Sequence, residues 1–202
     1  MKDFRKAFDS LLDKIRNKEN FAFTRFSDGE LFIMQDKTVV LADNHYITGK
    51  IKGTNRYTKE EHKEFYPEKH QKYREKLIQC YLHNQDRYYK GICTSTDGHV
   101  GKENFDWMIK FHGGDHNNLT FSNLLINANY SRFVEEIVPL FSNRKILYVA
   151  NEMANTDMLP FEIVKKFEIG SNCMINNFNT SEKVAMYIRE NDIRDHIILC
   201  SA

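Results

Sequence analysis

Excess charge of either sign is missing from this chain: 29 Lys and Arg stand against 28 Asp and Glu over 202 residues, for a formal net charge of +1. No global positive field exists to gather nucleic acid or an anionic membrane, so any recognition has to be local. Closely spaced cysteines are missing too. Cys80, Cys93, Cys173 and Cys200 form no CxxC pair, which argues against a zinc ribbon or a redox dithiol and for small hydrophobes in a reducing cytoplasm. No stretch approaches the roughly 18 apolar residues of a membrane span. The opening "MKDFRKAFDSLLDKIRNKEN" has no continuous apolar core of the signal-peptide kind. Internal repeats and low-complexity tracts are also absent. These absences predict a cytoplasmic protein with no nucleic-acid partner and no transmembrane segment.

What is present suits a folded domain. Apolar residues make up 41% and charged residues 28%, close to ordinary globular usage and far from that of disordered chains. The length fits a single domain over 1–202. Phe4, Ala7, Phe8, Leu11, Leu12 and Ile15 recur at three- and four-residue steps, the pattern of an amphipathic helix. "FAFTRF" reads as a strand, "LFIMQ" as a helix start and "KTVVLA" as a second strand. A polar passage from Asp43 to about Asn55 reads as a long surface loop. A helix is predicted from a start at Thr58 to Glu61, with Pro67 in a first turn, as far as about Gln85.

Downstream, "RYYKGICT" is predicted as a strand, residues 105–111 as a short helix, "HGGDHNN" as the loop that ends it, and "LTFSNLLIN" as mixed. Then "SRFVEEIVPLF" reads as helix, "KILYVA" as strand, "TDMLPFEIVKKF" as helix, "NCMIN" as strand, "TSEKVAMYIREN" as helix and "HIILC" as strand. Strands alternating with helices of this length predict an α/β fold, Rossmann-like, with a mostly parallel sheet flanked by helices. The last strand is apolar enough to be central. With the chain stopping two residues later, the expectation is a C-terminally truncated domain lacking a final helix.

Between the buried halves of "FAFTRFSDGELFIMQ" stand Ser27, Asp28, Gly29 and Glu30. Ser-x-x-Glu is the pattern of a capping box, which satisfies backbone N–H groups at a helix start and requires nothing more. In the functional alternative, Asp28 and Glu30 project from the carboxyl end of a strand, where open α/β sheets bind ligands, and hold a divalent cation through hard oxygen atoms. Gly29 would let phosphate and metal approach the backbone. Arg25 lies between Phe23 and Phe26, where a guanidinium is costly unless it meets an anion. That anion is either Asp28 or Glu30, or a ligand phosphate gripped bidentately.

"FTRFSDGELFIM" resembles the Arg-Phe-x-Asp-Gly-Glu stretch of the GT-D type of bacterial glycosyltransferase, a family with an Asp-x-Glu motif associated with the metal and the nucleotide-sugar donor. "SNLLINANYSRF", "KILYVANEMANTDMLPFEIV" and "HIILCSA" are similar to that family's later segments and occur in the same order. The resemblance spans residues 20–202, and its first motif is the specific part. It departs at Ser27, where a small residue, often glycine, is usual, and in ending before a glycine-containing turn.

The resemblance implies a GT-D-like fold and transfer of a sugar from a nucleoside-diphosphate sugar, a UDP-sugar by preference, to a hydroxyl of a glycan or glycoprotein. Asp28 and Glu30 would be metal and donor ligands with Mn²⁺ or Mg²⁺, and Arg25 a phosphate contact. Two alternatives stay open: a non-catalytic nucleotide- or glycan-binding module of the same fold, and a metal-dependent phosphohydrolase using the same carboxylates.

Further candidates come from position. Asn151 and Glu152 follow the strand "KILYVA" and would share the edge that carries Asp28, on the donor side; the alternative is a helix cap for the next segment. Ser201 would reach that edge from the last strand. His99, with Asp97, lies in a polar loop and is a candidate general base for the acceptor, as is Glu152. His112, Asp115 and His116 have a spacing compatible with zinc but no third His or Cys nearby, so a solvated loop is the competing reading. Tyr88, Tyr89 and the Phe105–Met108 stretch are candidates to stack on a base or sugar, with core packing as the alternative.

Overall fold

The computed structural model describes residues 3–42, 45–48, 51–53, 62–96 and 100–201. The chain opens with α1 (Phe4–Arg16), capped by Asp3, whose carboxylate accepts from the Arg5 and Lys6 backbone N–H groups. Its apolar stripe buries Ala7, Phe8, Leu11 and Leu12. Burial of each of the larger side chains contributes up to about 1.5–3 kcal/mol.

Then follow β1 (Ala22–Phe26), α2 (Asp28–Met34), β2 (Val39–Ala42), β3 (His45–Thr48), β4 (Ile51–Gly53), β5 (Lys63–Phe65), α3 (Pro67–Leu82), β6 (Tyr88–Ile92), α4 (Gly101–His112) and β7 (Leu119–Phe121). A single helical turn, α5 (Tyr130–Arg132), continues as a π-turn over Phe133–Ile137 and a 3₁₀ turn over Val138–Phe141. Pro139 has no N–H to give to a regular α-helical ladder, which accounts for the irregular geometry. The remaining elements are β8 (Lys145–Asn151), β9 (Ile163–Ile169), α6 (Cys173–Asn176), α7 (Thr180–Glu190) and β10 (His196–Ser201).

The strands form three hydrogen-bonded sets: parallel β1-β6-β7, parallel β10-β8-β9, and antiparallel β4-β3-β2-β5. The expected α/β class with parallel strands flanked by helices is therefore what is found. One core cluster lies under α2, α3 and α4, around Phe26, Leu31, Phe32, Tyr81, Ile92 and Met108. Tyr81 is fully buried, with its ring edge-on to Phe26 and its hydroxyl donating to Met108 O at 2.8 Å. The second cluster joins the two parallel sets, since Phe8, Leu11 and Leu124 pack with Ile146 and against Phe23, Phe121, Tyr148 and Leu199.

Several expectations are corrected. The passage from Asp43 to Asn55 holds β3 and β4 instead of one long loop, because Tyr46 and Ile47 pair across to β2 and β4. The helix start expected at Thr58 to Glu61 lies outside the described residues, and the helix begins at Pro67 after β5. The helix expected over "TDMLPFEIVKKF" is a turn followed by β9. Phe167 and Ile169 share one face of that strand, a register shift follows Ile163, and only Ile169 among its residues is buried. "NCMIN", expected as a strand, is the short helix α6. β10, expected to be central, pairs with β8 alone among the described residues, and Ile198 is 46% exposed. No helix among the described residues is long and apolar enough to cross a membrane.

Close packing at the first sheet depends on Gly91 of β6. A Cβ there would stand 2.8 Å from Phe121 O and 3.0 Å from Ser122 Cα, and neither backbone atom can move without breaking the Ser122 N to Ile92 O bond of 2.7 Å. Gly91→Ala is expected to destabilise the fold by about 1–3 kcal/mol through overpacking. Urea unfolding of the variant beside the parent measures this, and an unchanged midpoint would refute the steric argument.

Candidate functional site

The junction between β1 and α2 is built by four residues. Phe26 ends β1 in the core, Ser27 takes the N-cap position, and Asp28, Gly29 and Glu30 form the first turn of α2. Ser27 and Glu30 form a capping box, with the Ser27 N–H donating to Glu30 Oε2 at 2.8 Å. The cap accounts for one oxygen of Glu30 and leaves Oε1 uncommitted, since a carboxylate offers about four lone-pair sites. Asp28 is exposed, and its Oδ1 accepts only the N–H of the next residue, Gly29, at 3.0 Å. A side chain added at Gly29 would meet nothing within 4 Å, so the main chain between the carboxylates is open to an approaching group.

Arg25 behaves differently from the expectation. It is exposed at the carboxyl end of β1, and its Nε donates to Ser122 O at 2.7 Å across the width of the sheet. Among the described residues it makes no ion pair with Asp28 or Glu30, so neither carboxylate is its anion. The guanidinium thus ties β1 to the segment after β7, and its amino groups remain at the sheet edge.

Three residues that the sequence did not single out, Lys63, Asn172 and Cys173, gather where β5 meets α6, and one of them, Cys173, feels the Glu30 charge. α6 follows β9, and Asn172 at its N-cap position clips it to β5, receiving from Glu64 N–H at 3.3 Å and donating to Glu64 O at 3.4 Å. This brings Cys173 within electrostatic reach of both Lys63 and Glu30. Burial pushes the Cys173 thiol up, the Lys63 ammonium acts against that, and the Glu30 carboxylate adds slightly to it. Cys173 thus feels charges from both β5 and the first turn of α2. No periodicity announces such a meeting, because it depends on β5 and α6 being clipped together.

The other candidates are placed as follows. Asn151 ends β8 and its Oδ1 accepts from Met153 N–H at 2.9 Å, so it holds a turn; the helix it was expected to cap is not there. Glu152 is exposed, with its N–H donating to Ile169 O at 3.0 Å. Ser201 pairs with Ala150, so Ser201, Asn151 and Glu152 share the carboxyl edge of the second parallel set. β1 belongs to the other set, and strand pairing alone does not join them to Asp28. His99 and Asp97 lie outside the described residues.

His112 is no part of a solvated loop. It is the last residue of α4, buried, and its Nε2 accepts from Lys90 Nζ at 2.8 Å. Lys90, fully buried in β6, also donates to Tyr81 O at 2.8 Å. Burial lowers the pKa of Lys90, and burial followed by the Lys90 charge lowers that of His112. Tyr88 lies within cation–π distance of Lys90, at 5.6 Å, and Tyr89 stands edge-on to Phe21, so both are packing residues.

Among the described residues no group of three His, Cys, Asp or Glu is gathered as a metal site. Asp28 and Glu30 offer hard oxygen atoms from two carboxylates. That donor set suits Mg²⁺ or Mn²⁺, which bind through one or two carboxylates, water and substrate phosphate more often than in an all-protein cage.

No protein-family model matches the chain, and no curated protein matches it. A solved structure does: the selenomethionine-substituted structure of domain of unknown function 1792 (DUF1792), at 12% identity and a TM-score of 0.55. The match covers 94% of this chain and 66% of that one, so the chain spans slightly less than two thirds of the domain it is similar to. The likeness shows the fold alone, an α/β arrangement of parallel strands flanked by helices.

The Lys90–His112 couple makes a pH prediction. A His whose folded pKa lies below its unfolded value stays neutral in the native state while the unfolded chain takes up a proton. Stability is thus full above about pH 6.5 and is lost as the pH falls below it. Thermal melts of the parent between about pH 7 and pH 5 are expected to fall more steeply than those of His112→Asn, which keeps an acceptor for Lys90 but cannot be protonated. Parallel slopes would remove His112 from the account.

Proposed function

We propose that this chain is a nucleotide-sugar-dependent glycosyltransferase domain, moving a sugar from a nucleoside-diphosphate donor, a UDP-sugar by preference, to a hydroxyl of a glycan or glycoprotein. The observation that carries the reading is the pairing of Asp28 with Glu30 across an open Gly29 at the carboxyl end of a parallel strand, in a fold shared with the DUF1792 domain. Ligands of open α/β sheets bind at that end. The four cysteines are widely spaced with no CxxC pair, which suits a reducing cytoplasm.

Chemically, the difficult event is departure of the diphosphate as negative charge gathers on its bridging oxygen. A Mg²⁺ or Mn²⁺ ion at Asp28 and Glu30 would supply Lewis-acid stabilisation of that charge. The chain's own residues do the rest. Glu30, fixed by the capping box, holds its free oxygen in one place; Gly29 lets phosphate oxygens reach the main chain. The amino groups of Arg25 supply positive charge at the same edge. His99, Asp97 and Glu152 are the candidates for deprotonating the acceptor, and Asn151 and Ser201 for the donor side of the second sheet.

The capping box favours a second reading: Ser27 and Glu30 are explained by helix initiation alone, and the domain binds a nucleotide or glycan without turning it over. One set of variants separates the two. Asp28→Asn is expected to lower Mn²⁺-dependent turnover of UDP-sugars by about 10²-fold or more with the melting temperature unchanged. Glu30→Gln is expected to lose turnover similarly and also about 1 kcal/mol of stability from the weakened cap. Full turnover in Asp28→Asn rejects the metal role. Nucleotide binding without turnover in the parent supports the binding module, and phosphate release from simple esters supports a metal-dependent phosphohydrolase.

A further inference from the structure

Beyond the acidic couple, the other end of α2 borders an open cleft of about 470 Å³, with the aromatic side of α4 as its opposite wall. Small-molecule sites occupy roughly 300–1,000 Å³. α2 has seven residues, so the cleft lies about 10 Å along the helix axis from Asp28.

Two features of its walls call for an explanation. Trp107 is stacked on Phe111, with centroids 4.5 Å apart and planes 16° apart, and Phe111 is stacked on the buried Tyr81 at 6.1 Å and 11°. This row of three rings holds Trp107 in place, partly buried against the core and with part of its surface on the cleft wall. The second feature is an orphan acceptor. Asn104 Nδ2 donates to Val100 O at 2.8 Å, which fixes Asn104 Oδ1 as the acceptor for Gln35 Nε2 at 2.9 Å. Gln35 must then turn its amide the other way, and its Oε1 is buried without a partner. A buried carbonyl oxygen left so is costly unless some other group donates to it.

Charge narrows the class of ligand. Lys37 and Arg74 line the cleft, but Glu103 lines it too, and Asp36 sits 3.3 Å from the Arg74 guanidinium. Arg74 is further committed to the last carbonyls of α2, donating to Ile33 O at 3.2 Å and Met34 O at 3.0 Å. Two cations against two carboxylates leave no net field for a phosphate. A flat apolar platform beside amides and charges of both signs suits a neutral ring with C–H bonds on one face and hydroxyls around its rim. The C–H edges carry partial positive charge and match the negative face of the indole, while each hydroxyl both donates and accepts.

We propose that this cleft is a carbohydrate-binding site. It takes one pyranose ring against Trp107, with the Gln35 side chain turning to bring its buried Oε1 to a ring hydroxyl and other hydroxyls meeting Asn104 and Glu103. The site is separate from the donor chemistry at Asp28 and does not rest on it.

Trp107 is the sole tryptophan of the chain, so its fluorescence reports this cleft alone. The whole chain is titrated with methyl glucopyranoside, methyl mannopyranoside, methyl galactopyranoside and N-acetylglucosamine, with acyclic sorbitol at equal concentration as the control. A saturable emission shift with at least one pyranoside is expected. Gln35→Leu should weaken that binding about tenfold at an unchanged melting temperature, and Trp107→Ala should abolish it by calorimetry. Asp28→Asn should leave it intact even where it removes donor turnover, so failure of the transferase reading and failure of this one look different. A response to every pyranoside no greater than to sorbitol overturns the proposal. So does equal affinity in the Gln35→Leu variant, or saturation by uridine monophosphate in place of the sugars.

Discussion

A helix that begins at the edge of a sheet has backbone N–H groups with no acceptor in its own first turn, and they must be satisfied before the segment can leave the core. Here Ser27 and Glu30 meet that demand. The rest of the site follows from it. With the turn closed, Phe26 on one side and Leu31, Phe32 and Met34 on the other enter the same core cluster, so the short helix is anchored at both ends by burial. Asp28 then has no inward position to take and stays exposed. The same residues that start the helix therefore present a carboxylate at the strand end, and the capping bond at Glu30 leaves its other oxygen for the ligand role proposed for it.

The far end of α2 is secured by different means. Arg74 of α3 reaches the carbonyls of Ile33 and Met34, placing a cation where the helix dipole is negative. A helix of seven residues is too short to persist without such help. It is held by a carboxylate at its start, a guanidinium at its finish and apolar side chains between. Rigidity of this kind is what a ligand site needs at each end, since a group held by two independent restraints need not be ordered again on binding.

Much of the frame was legible in the sequence, because α1, β1, β6, β8 and α7 have periodicities that only one kind of element satisfies. The misreadings share a cause. In "FEIVKKFEI" the apolar residues stand at spacings that a helix and a strand can both accommodate, and the pairing of β9 with β8 decides for the strand. "NCMIN" is four or five residues long, too short for any period to show, and its place after Gly170 and Ser171 makes it a turn of helix. For the site, the acidic couple was legible as a local motif, whereas Lys63, Asn172 and Cys173 were not. They come together only because β5 and α6, 108 residues apart at their hydrogen-bonded contact, are joined by the Asn172 side chain.

Arg25 shows how burial changes the meaning of a residue type. In the sequence it stands between two phenylalanines, and a guanidinium there implies an anion. In the fold, β1 alternates so that Phe26 faces the core while Arg25 faces outward, and the desolvation cost that called for an anion does not arise. A backbone carbonyl, that of Ser122, is then a sufficient partner, and Gly91 lets the chain around Ser122 come close to β6. Lys90, next to Gly91, has the reverse history. Nothing in "RYYKGICT" marks it as buried, yet the strand turns it into the core, where Tyr81 O and His112 take the place of a counter-ion. The alternation of two paired strands, β1 and β6, thus decides which cation is left at the carboxyl edge of the sheet and which is enclosed as a structural tie.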